Sequence, residues 1–267
     1  MSERSELHVT VSEAVRVGVL GAGGRMGSTV CAAIAADPDL ELVAAVDPGA
    51  PGRSVCDVTV SGELDALLAA GATVAVDFTL ADAARRNLPW CAAHGLHAVV
   101  GTTGLGDDDL GALRAAFTRS NCIVAPNFAI GAVLMMRFAE LAAPYFDTAD
   151  VVELHHDGKV DAPSGTAMAT AQRMAAASAD WAADPTVHEV VAGSRGGAGP
   201  AGIRVHALRV RGMVAHQEVL LGTTGQTLSI RHDSYDRASF MPSVVLACKR
   251  IAEHPSLTVS LNAFLGI

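Results

Sequence analysis

From Val15 to Asn127 the sequence repeats one alternation, short β-branched runs followed by alanine-rich stretches, and this constrains the fold more than any other feature. The runs over 15–20, 41–46, 73–78, 97–101 and 122–125 read as strands, and 25–36, 81–93 and 107–117 as the helices between them. A helix placed between two strands returns the chain to the same end of the sheet. The strands therefore lie parallel, and a parallel sheet must be covered on both faces. The pattern predicts an α/β fold opening with a doubly wound parallel sheet.

Beyond Asn127 the grammar changes. An apolar helix over 130–145 leads to a strand over 150–155, a helix opening at Ser164, a glycine-rich loop over 193–202, and strands over 204–211, 215–222 and 226–233. The last two are joined as a hairpin through Thr223-Thr224-Gly225. A second domain with a mixed, largely antiparallel sheet is expected over 129–240. Periodicity does not decide where the closing helix, over 238–253, packs.

Composition narrows the function. Half of the 267 residues are hydrophobic and 18% are charged, enough to bury a substantial core and too ordered a mixture for a low-complexity chain. The net charge of -9 argues against nucleic acid as a partner, since displacing counterions from phosphates needs a basic footprint. Of 19 basic residues only Lys159 and Lys249 are lysine. The five cysteines (31, 56, 91, 122 and 248) form no CxxC pair, so neither a disulfide framework nor a zinc site is expected. Residues 1–14 lack the apolar run of a signal peptide, and no later stretch has the length and apolarity of a membrane span. The chain reads as a soluble cytoplasmic protein with a flexible leader and no membrane partner.

Two clusters carry chemistry. Gly21-Ala22-Gly23-Gly24-Arg25-Met26-Gly27 follows the first strand and opens the first helix, where glycines let backbone N–H groups approach a pyrophosphate. The spacing departs from G-x-G-x-x-G, because Met26 stands where the third glycine belongs. Asp47, ending the second strand, suits the adenosine ribose hydroxyls and repels a 2′-phosphate, and Pro48 follows it where a basic residue would favour NADPH. The expected cofactor is NADH, used at least as well as NADPH, with Arg25 and Arg53 tempering the bias. Gly101-Thr102-Thr103-Gly104 and Ala125-Pro126-Asn127-Phe128 end strands on the sheet edge where open α/β folds bind ligands. Asp77 and Thr79 lie on the same edge with no ligand role assigned.

The second cluster is Glu153-Leu154-His155-His156-Asp157-Gly158-Lys159-Val160-Asp161-Ala162-Pro163-Ser164-Gly165-Thr166. Two histidines and a lysine supply positive donors, and Ser-Gly-Thr opens a helix whose first amides attract carboxylates, a combination suited to a small dianion. Ser164 also reads as an N-cap alone, and Asp161 and Pro163 as turn formers. No further Cys, Asp or Glu spacing completes a metal set, so no metal is expected.

The ordered blocks GAGGRMG, VDFT, GTTG, APNFAIGA, ELHHDGKVDAPSGTA and VAHQEVLLGTTGQTLSIRHDSYDRASFMP resemble the dihydrodipicolinate reductase family, the 4-hydroxy-tetrahydrodipicolinate reductases of diaminopimelate and lysine biosynthesis. The resemblance covers nearly everything from Val15 onward. It implies a Rossmann-type dinucleotide-binding domain over 15–128 with 241–267, and a central mixed α/β domain over 129–240 for substrate binding and homotetramer assembly. The implied reaction is NAD(P)H-dependent reduction of a dianionic cyclic imine. Gly21, Ala22, Gly23, Gly24, Arg25, Met26 and Asp47 would line the dinucleotide, with Gly101, Thr102, Thr103, Ala125, Pro126, Asn127 and Phe128 toward the nicotinamide. His155 matches the family's proton donor, Lys159 its second catalytic residue, and His156, Gly165 and Thr166 its substrate contacts. A reductase of another cyclic imine dicarboxylate, or a silent NAD(P)-binding sensor, would share the fold; the sensor would have little need of His155 and Lys159.

Overall fold

The computed structural model describes residues 14–267, so the leader, apart from Ala14, lies outside the described residues. The chain begins β1 (Val15–Leu20), α1 (Arg25–Ala36), β2 (Leu40–Val46), β3 (Ser54–Val55), β4 (Val58–Ser61), α2 (Asp65–Ala69), β5 (Val74–Asp77) and α3 (Ala81–Ala93). Next come β6 (His97–Val100), α4 (Asp107–Ala116), β7 (Cys122–Val124), α5 (Ile130–Ala142), β8 (Thr148–His155) and α6 (Gly165–Ala177). The remainder is β9 (Gly197–Ala198), β10 (Arg204–Arg209), β11 (Ala215–Thr223), β12 (Gln226–Ser234), α7 (Met241–Arg250), β13 (Leu257–Val259) and α8 (Asn262–Leu265).

Two compact units result. One holds the described residues up to Val124 together with Val245–Thr258; the other holds Ala125–Val244 with Val259–Ile267. Among the described residues no helix is long and apolar enough to cross a membrane.

The first unit is a doubly wound sheet ordered β13-β7-β6-β5-β1-β2-β4-β3. The pairs β1–β2, β1–β5, β5–β6 and β6–β7 are all parallel, as the helical crossovers require, and β2–β4 is parallel through the loop that carries β3. From β1 the chain winds first to one side and then to the other, so the turn after β1 lies at the reversal of strand order. Val17, Val19, Ala75, Val76, Ala98 and Val99 are fully buried, the continuous burial of strands covered on both faces. Leu20, Leu67, Leu88 and Phe117 pack with Ala75 and Ala98 into the core between one face of the sheet and its helices. Burial pushes the Cys31, Cys91 and Cys248 thiols up to about 12, which keeps them protonated and unreactive.

The hairpin β3–β4 and strand β13 are additions to the sequence reading. The β3–β4 turn is made by Cys56 and Asp57, both at positive φ (48° and 64°), without the glycine that usually marks such a turn. The helix expected over 130–145 ends at Ala142 and continues as one 3-10 turn, Ala143–Tyr145.

The second unit carries a sheet ordered β12-β11-β8-β10-β9, with β8–β10 parallel and β8–β11, β11–β12 and β9–β10 antiparallel. It is mixed and largely antiparallel, as expected. Thr223 pairs with Gln226, so the β11–β12 turn tightens to Thr224-Gly225, with Gly225 at φ +80°. Helices α5 and α6 pack on the strands, α5 against β12 and α6 against β8 and β10. Because side chains alternate across a strand, Val151, Glu153 and His155 share one face of β8, while Val152 and Leu154 point to the other.

Candidate active site

In the first unit the glycine turn is built for close approach. Gly21 sits at φ +76°, and Gly24 is the N-cap of α1 with no side chain to cap it, so the first-turn amides of α1 are left for a ligand. A Cβ on Gly27 would lie 2.0 Å from the Gly21 carbonyl oxygen, so Gly27, and not position 26, performs the close helix-to-strand packing of a third glycine. The third glycine's packing thus falls one residue after its place in strict spacing, and Gly23 is needed as well, since a Cβ there would lie 2.6 Å from the Ala50 Cβ.

The Asp47 carboxylate accepts from the Gly23 amide at 3.0 Å and the Gly49 amide at 2.9 Å. Gly21, Gly24, Val46, Asp47, Pro48 and Arg86 are among the residues lining one cleft of about 430 Å³. An uncapped helix start, glycines whose Cβ atoms would close the approach, and an acidic side chain held at the end of β2 together fit a dinucleotide. Arg25 is exposed in the first turn of α1, with Met26 half-buried beside it.

At the neighbouring edge, Asp77 is fully buried with no cationic partner among the described residues. It is satisfied by the Thr79 amide and hydroxyl (2.9 and 2.6 Å), the Thr102 hydroxyl (2.7 Å) and the Asn87 amide (3.0 Å). The Thr102 side chain therefore anchors its loop; only its backbone, with Gly101 and Thr103, is left to face a ligand. A Cβ on Gly101 would lie 2.0 Å from the Phe78 ring, which explains the glycine.

In the second unit one cavity gathers Asn127, Ala129, His155, Ser164, Thr166, Gln217, His232 and Ser234 among its lining. Strand register creates it. Glu153 of β8, Gln217 of β11 and His232 of β12 form one cross-strand row, and His155, Ala215 and Ser234 the next. The Ser164 hydroxyl accepts from the Ala167 amide at 3.2 Å and caps α6, leaving the first-turn amides at Gly165 and Thr166 available to an anion. The Asn127 amide donates to the Thr166 hydroxyl at 3.3 Å, which puts Asn127 in this cavity. Among the same motif residues, Ala125 and Phe128 are buried and Pro126 is exposed.

His155 Nδ1 lies 2.5 Å from Glu153 Oε2. Glu153 is 0% exposed, and Arg209 reaches both of its oxygens at 2.9 Å, while the Ser164 amide donates to Oε1 at 3.1 Å. Burial alone would raise the Glu153 carboxyl, but these bonds from Arg209, His155 and Ser164 hold it below the ordinary carboxylate range. Burial lowers His155; the Glu153 hydrogen bond and charge oppose this, and the Lys159 and Arg209 charges add to the lowering. His232 is likewise lowered by burial.

Lys159 Nζ is bound by both Asp161 oxygens at 2.8 Å, and His156 is exposed, away from the cavity lining. Sequence reasoning missed Glu153 and Arg209. The first could have been found by period-two spacing from His155; the second faces the site only through the pairing of Arg209 with His155 across β8–β10. Among the described residues no group of three His, Cys, Asp or Glu side chains could hold a metal ion.

The family models described as dihydrodipicolinate reductase, N-terminus and C-terminus, match residues 15–128 and 131–265. A 4-hydroxy-tetrahydrodipicolinate reductase of Beutenbergia cavernae is 50% identical over 259 residues, covering 95% of this chain and 99% of that protein. One from Corynebacterium aurimucosum is 48% identical over 258 residues, with the same coverage. The solved structure of dipicolinate-bound dihydrodipicolinate reductase from Paenisporosarcina sp. TG-14 matches with a TM-score of 0.85 at 36% identity, covering 94% of this chain and 99% of that one.

Proposed function

This chain belongs to the dihydrodipicolinate reductase family, and from that premise we propose that it reduces 4-hydroxy-tetrahydrodipicolinate to tetrahydrodipicolinate in diaminopimelate and lysine biosynthesis. The observation that carries the reading is the cavity that joins the His155 imidazole to the open N-terminus of α6. A relative was solved with dipicolinate, a planar ring dicarboxylate, which matches a site with one proton donor and one carboxylate seat.

The substrate is a cyclic imine with two carboxylates; loss of water conjugates the imine with a ring double bond. A nicotinamide dinucleotide bound in the first unit supplies the hydride. The electron density left on the ring must then receive a proton at the carbon next to the imine carbon. We assign that proton to His155, whose unperturbed pKa of about 6.5 lets nearby charges set its state near neutral pH. The dianion, by adding negative charge, favours the imidazolium just when it is needed. Gly165 and Thr166 are assigned to hold one carboxylate, through first-turn amides and the Thr166 hydroxyl. Lys159 is assigned to the other carboxylate or to the developing charge, after leaving Asp161, with His156 as a further contact.

For the cofactor we propose NADH, used at least as well as NADPH, supported by the Asp47 carboxylate held at the edge of the cleft and by Pro48 after it. Residues 15–128 with 241–267 are proposed as the dinucleotide-binding domain and 129–240 as the substrate-binding and tetramerisation domain. A homotetramer is supported by the sheet face that bears Leu154, Leu208 and Leu220, the last two exposed. The cytoplasm is the proposed compartment, in keeping with a biosynthetic reductase.

The test is NADH oxidation with substrate generated from pyruvate and aspartate semialdehyde by a coupled synthase. Turnover that falls on the order of 10²- to 10⁴-fold in His155→Ala and Lys159→Ala, with NADH still bound, supports the assignment. Nucleotide binding without turnover in the unmodified protein would leave a sensor in its place.

A further inference from the structure

We propose that Glu153 is a positioning residue for the proton transfer: its buried carboxylate, fixed by Arg209, takes the Nδ1 proton of His155 and so leaves Nε2 as the ring nitrogen that carries the transferred proton. The proposal deepens the assignment of His155 as proton donor and rests on it.

Hydrogen-bond capacity decides the tautomer. An ionised carboxylate only accepts. Glu153 has no exposed surface, and its two oxygens meet donors on every side: both Arg209 terminal nitrogens, the Ser164 amide and His155 Nδ1. Nδ1 must therefore carry a hydrogen in both charge states of the ring. In the neutral ring Nε2 is then the lone-pair nitrogen, and the second proton can enter and leave only there. A carboxylate behind an imidazole both fixes its orientation and makes its far nitrogen a stronger base.

Arg209 limits this effect as well as enabling it. Its side chain also donates to the Lys159 and Asp161 carbonyls, at 3.3 and 2.5 Å, so one guanidinium ties the orienting carboxylate to the loop that holds the lysine. Because Glu153 shares its charge with Arg209, it raises His155 less than an isolated carboxylate would. Burial then prevails in the free protein, and His155 stays below its ordinary value. The other charged or titratable groups facing this ring are Lys159, with its partner Asp161, from the loop and His232 from β12, whereas His216 pairs with Leu154 on the other face of the sheet and binds Asp233 there. On this account the imidazolium forms on binding of the dianion, with uptake of a proton.

The experiment measures kcat and kcat/KM against pH for the unmodified protein, Glu153→Gln, and the double variant Glu153→Gln with Arg209→Met, which removes the buried ion pair together. Urea midpoints and NADH affinity confirm folding. The His155 tautomer is read by long-range nitrogen–proton NMR in the absence of substrate. Losing a neighbouring carboxylate lowers the pKa of an imidazolium, so the alkaline limb of kcat should move down by about one pH unit or more in both variants. Activity should fall about tenfold above that limb and recover toward lower pH, with KM changed less than kcat. The unmodified protein should show the Nδ1–H tautomer. An Nε2–H tautomer, or a loss of kcat equal at every pH, would overturn the positioning role. Absence of turnover in the unmodified protein would sink the reductase reading instead, and the tautomer would still decide the role of Glu153.

Discussion

Arg209→Met is the substitution whose consequence follows most directly from the geometry. It removes both guanidinium bonds to Glu153 and leaves a carboxylate with no exposed surface beside one imidazole and one amide. Breaking a buried pair on one side costs about 3–5 kcal/mol, because the remaining charge is uncompensated. That is a large part of the roughly 5–15 kcal/mol that holds a domain folded. The penalty should depend on pH, and its sign can be worked out. In the unmodified protein the Glu153 carboxyl sits below its unfolded value, so its contribution is present above that value and is lost as pH falls through the folded one. Without Arg209, burial prevails and the carboxyl rises above its unfolded value. The group then opposes folding increasingly as pH rises, so the variant should lose most at pH 8 and least near pH 5. Glu153→Gln added to Arg209→Met should recover much of the loss, since the unpaired charge is gone. Urea denaturation can be followed through Trp181 in a Trp90→Phe background, Trp90 lying in α3 of the other unit. A penalty under about 1 kcal/mol at pH 8, one that does not vary with pH, or one unrelieved in the double variant would refute the reasoning.

Gly27→Ala forces a Cβ to within 2.0 Å of the Gly21 carbonyl, a backbone atom that cannot yield without opening the turn. A stability loss of about 1–3 kcal/mol and weakened NADH binding are expected, read by thermal unfolding and nucleotide titration; an unchanged NADH Kd would contradict the role given to Gly27. Asp47→Asn keeps an acceptor for the Gly23 or Gly49 amide but removes the charge that repels a 2′-phosphate. The NADPH to NADH ratio of kcat/KM should rise about tenfold, the equivalent of roughly 1.4 kcal/mol; no change would show that Asp47 does not discriminate. Asp161→Asn frees Lys159 from an exposed pair worth about 0.2–1 kcal/mol, so substrate KM should fall by roughly 1.4- to 5-fold, and a rise in KM would count against competition between Asp161 and substrate.

What was legible in the sequence follows from how local each signal is. Helices α1 and α3 coincide with the ranges read from periodicity, because each is bounded by a strand edge and a turn within the same short window. The β3–β4 hairpin escaped because its strands are two and four residues long and Cys56-Asp57 adopts positive φ without the usual residues. The part of Gly27 was not legible because spacing counts residues, whereas the helix start selects the glycine that meets the Gly21 carbonyl. His155, Ser164 and Thr166 were visible because they lie in one contiguous motif. Arg209 lies 56 residues from Glu153, and nothing in either segment announces that β8 and β10 pair side by side.

The skewed use of basic residues gains a physical reading at this site. Arg209 is a static brace whose planar fork spans both oxygens of a buried carboxylate and two loop carbonyls, which a lysine could not satisfy at once. Lys159 acts differently. It is a point charge on a flexible stem, paired with an Asp161 side chain that is 60% exposed, so exchanging that partner for an incoming carboxylate breaks only a weakly held contact. A guanidinium fixed at position 159 would gain a more directional grip on Asp161 and exchange it less readily. On the role proposed for Lys159, the one place in the second unit where this arginine-rich chain keeps a lysine is the place where the cation has to change partners.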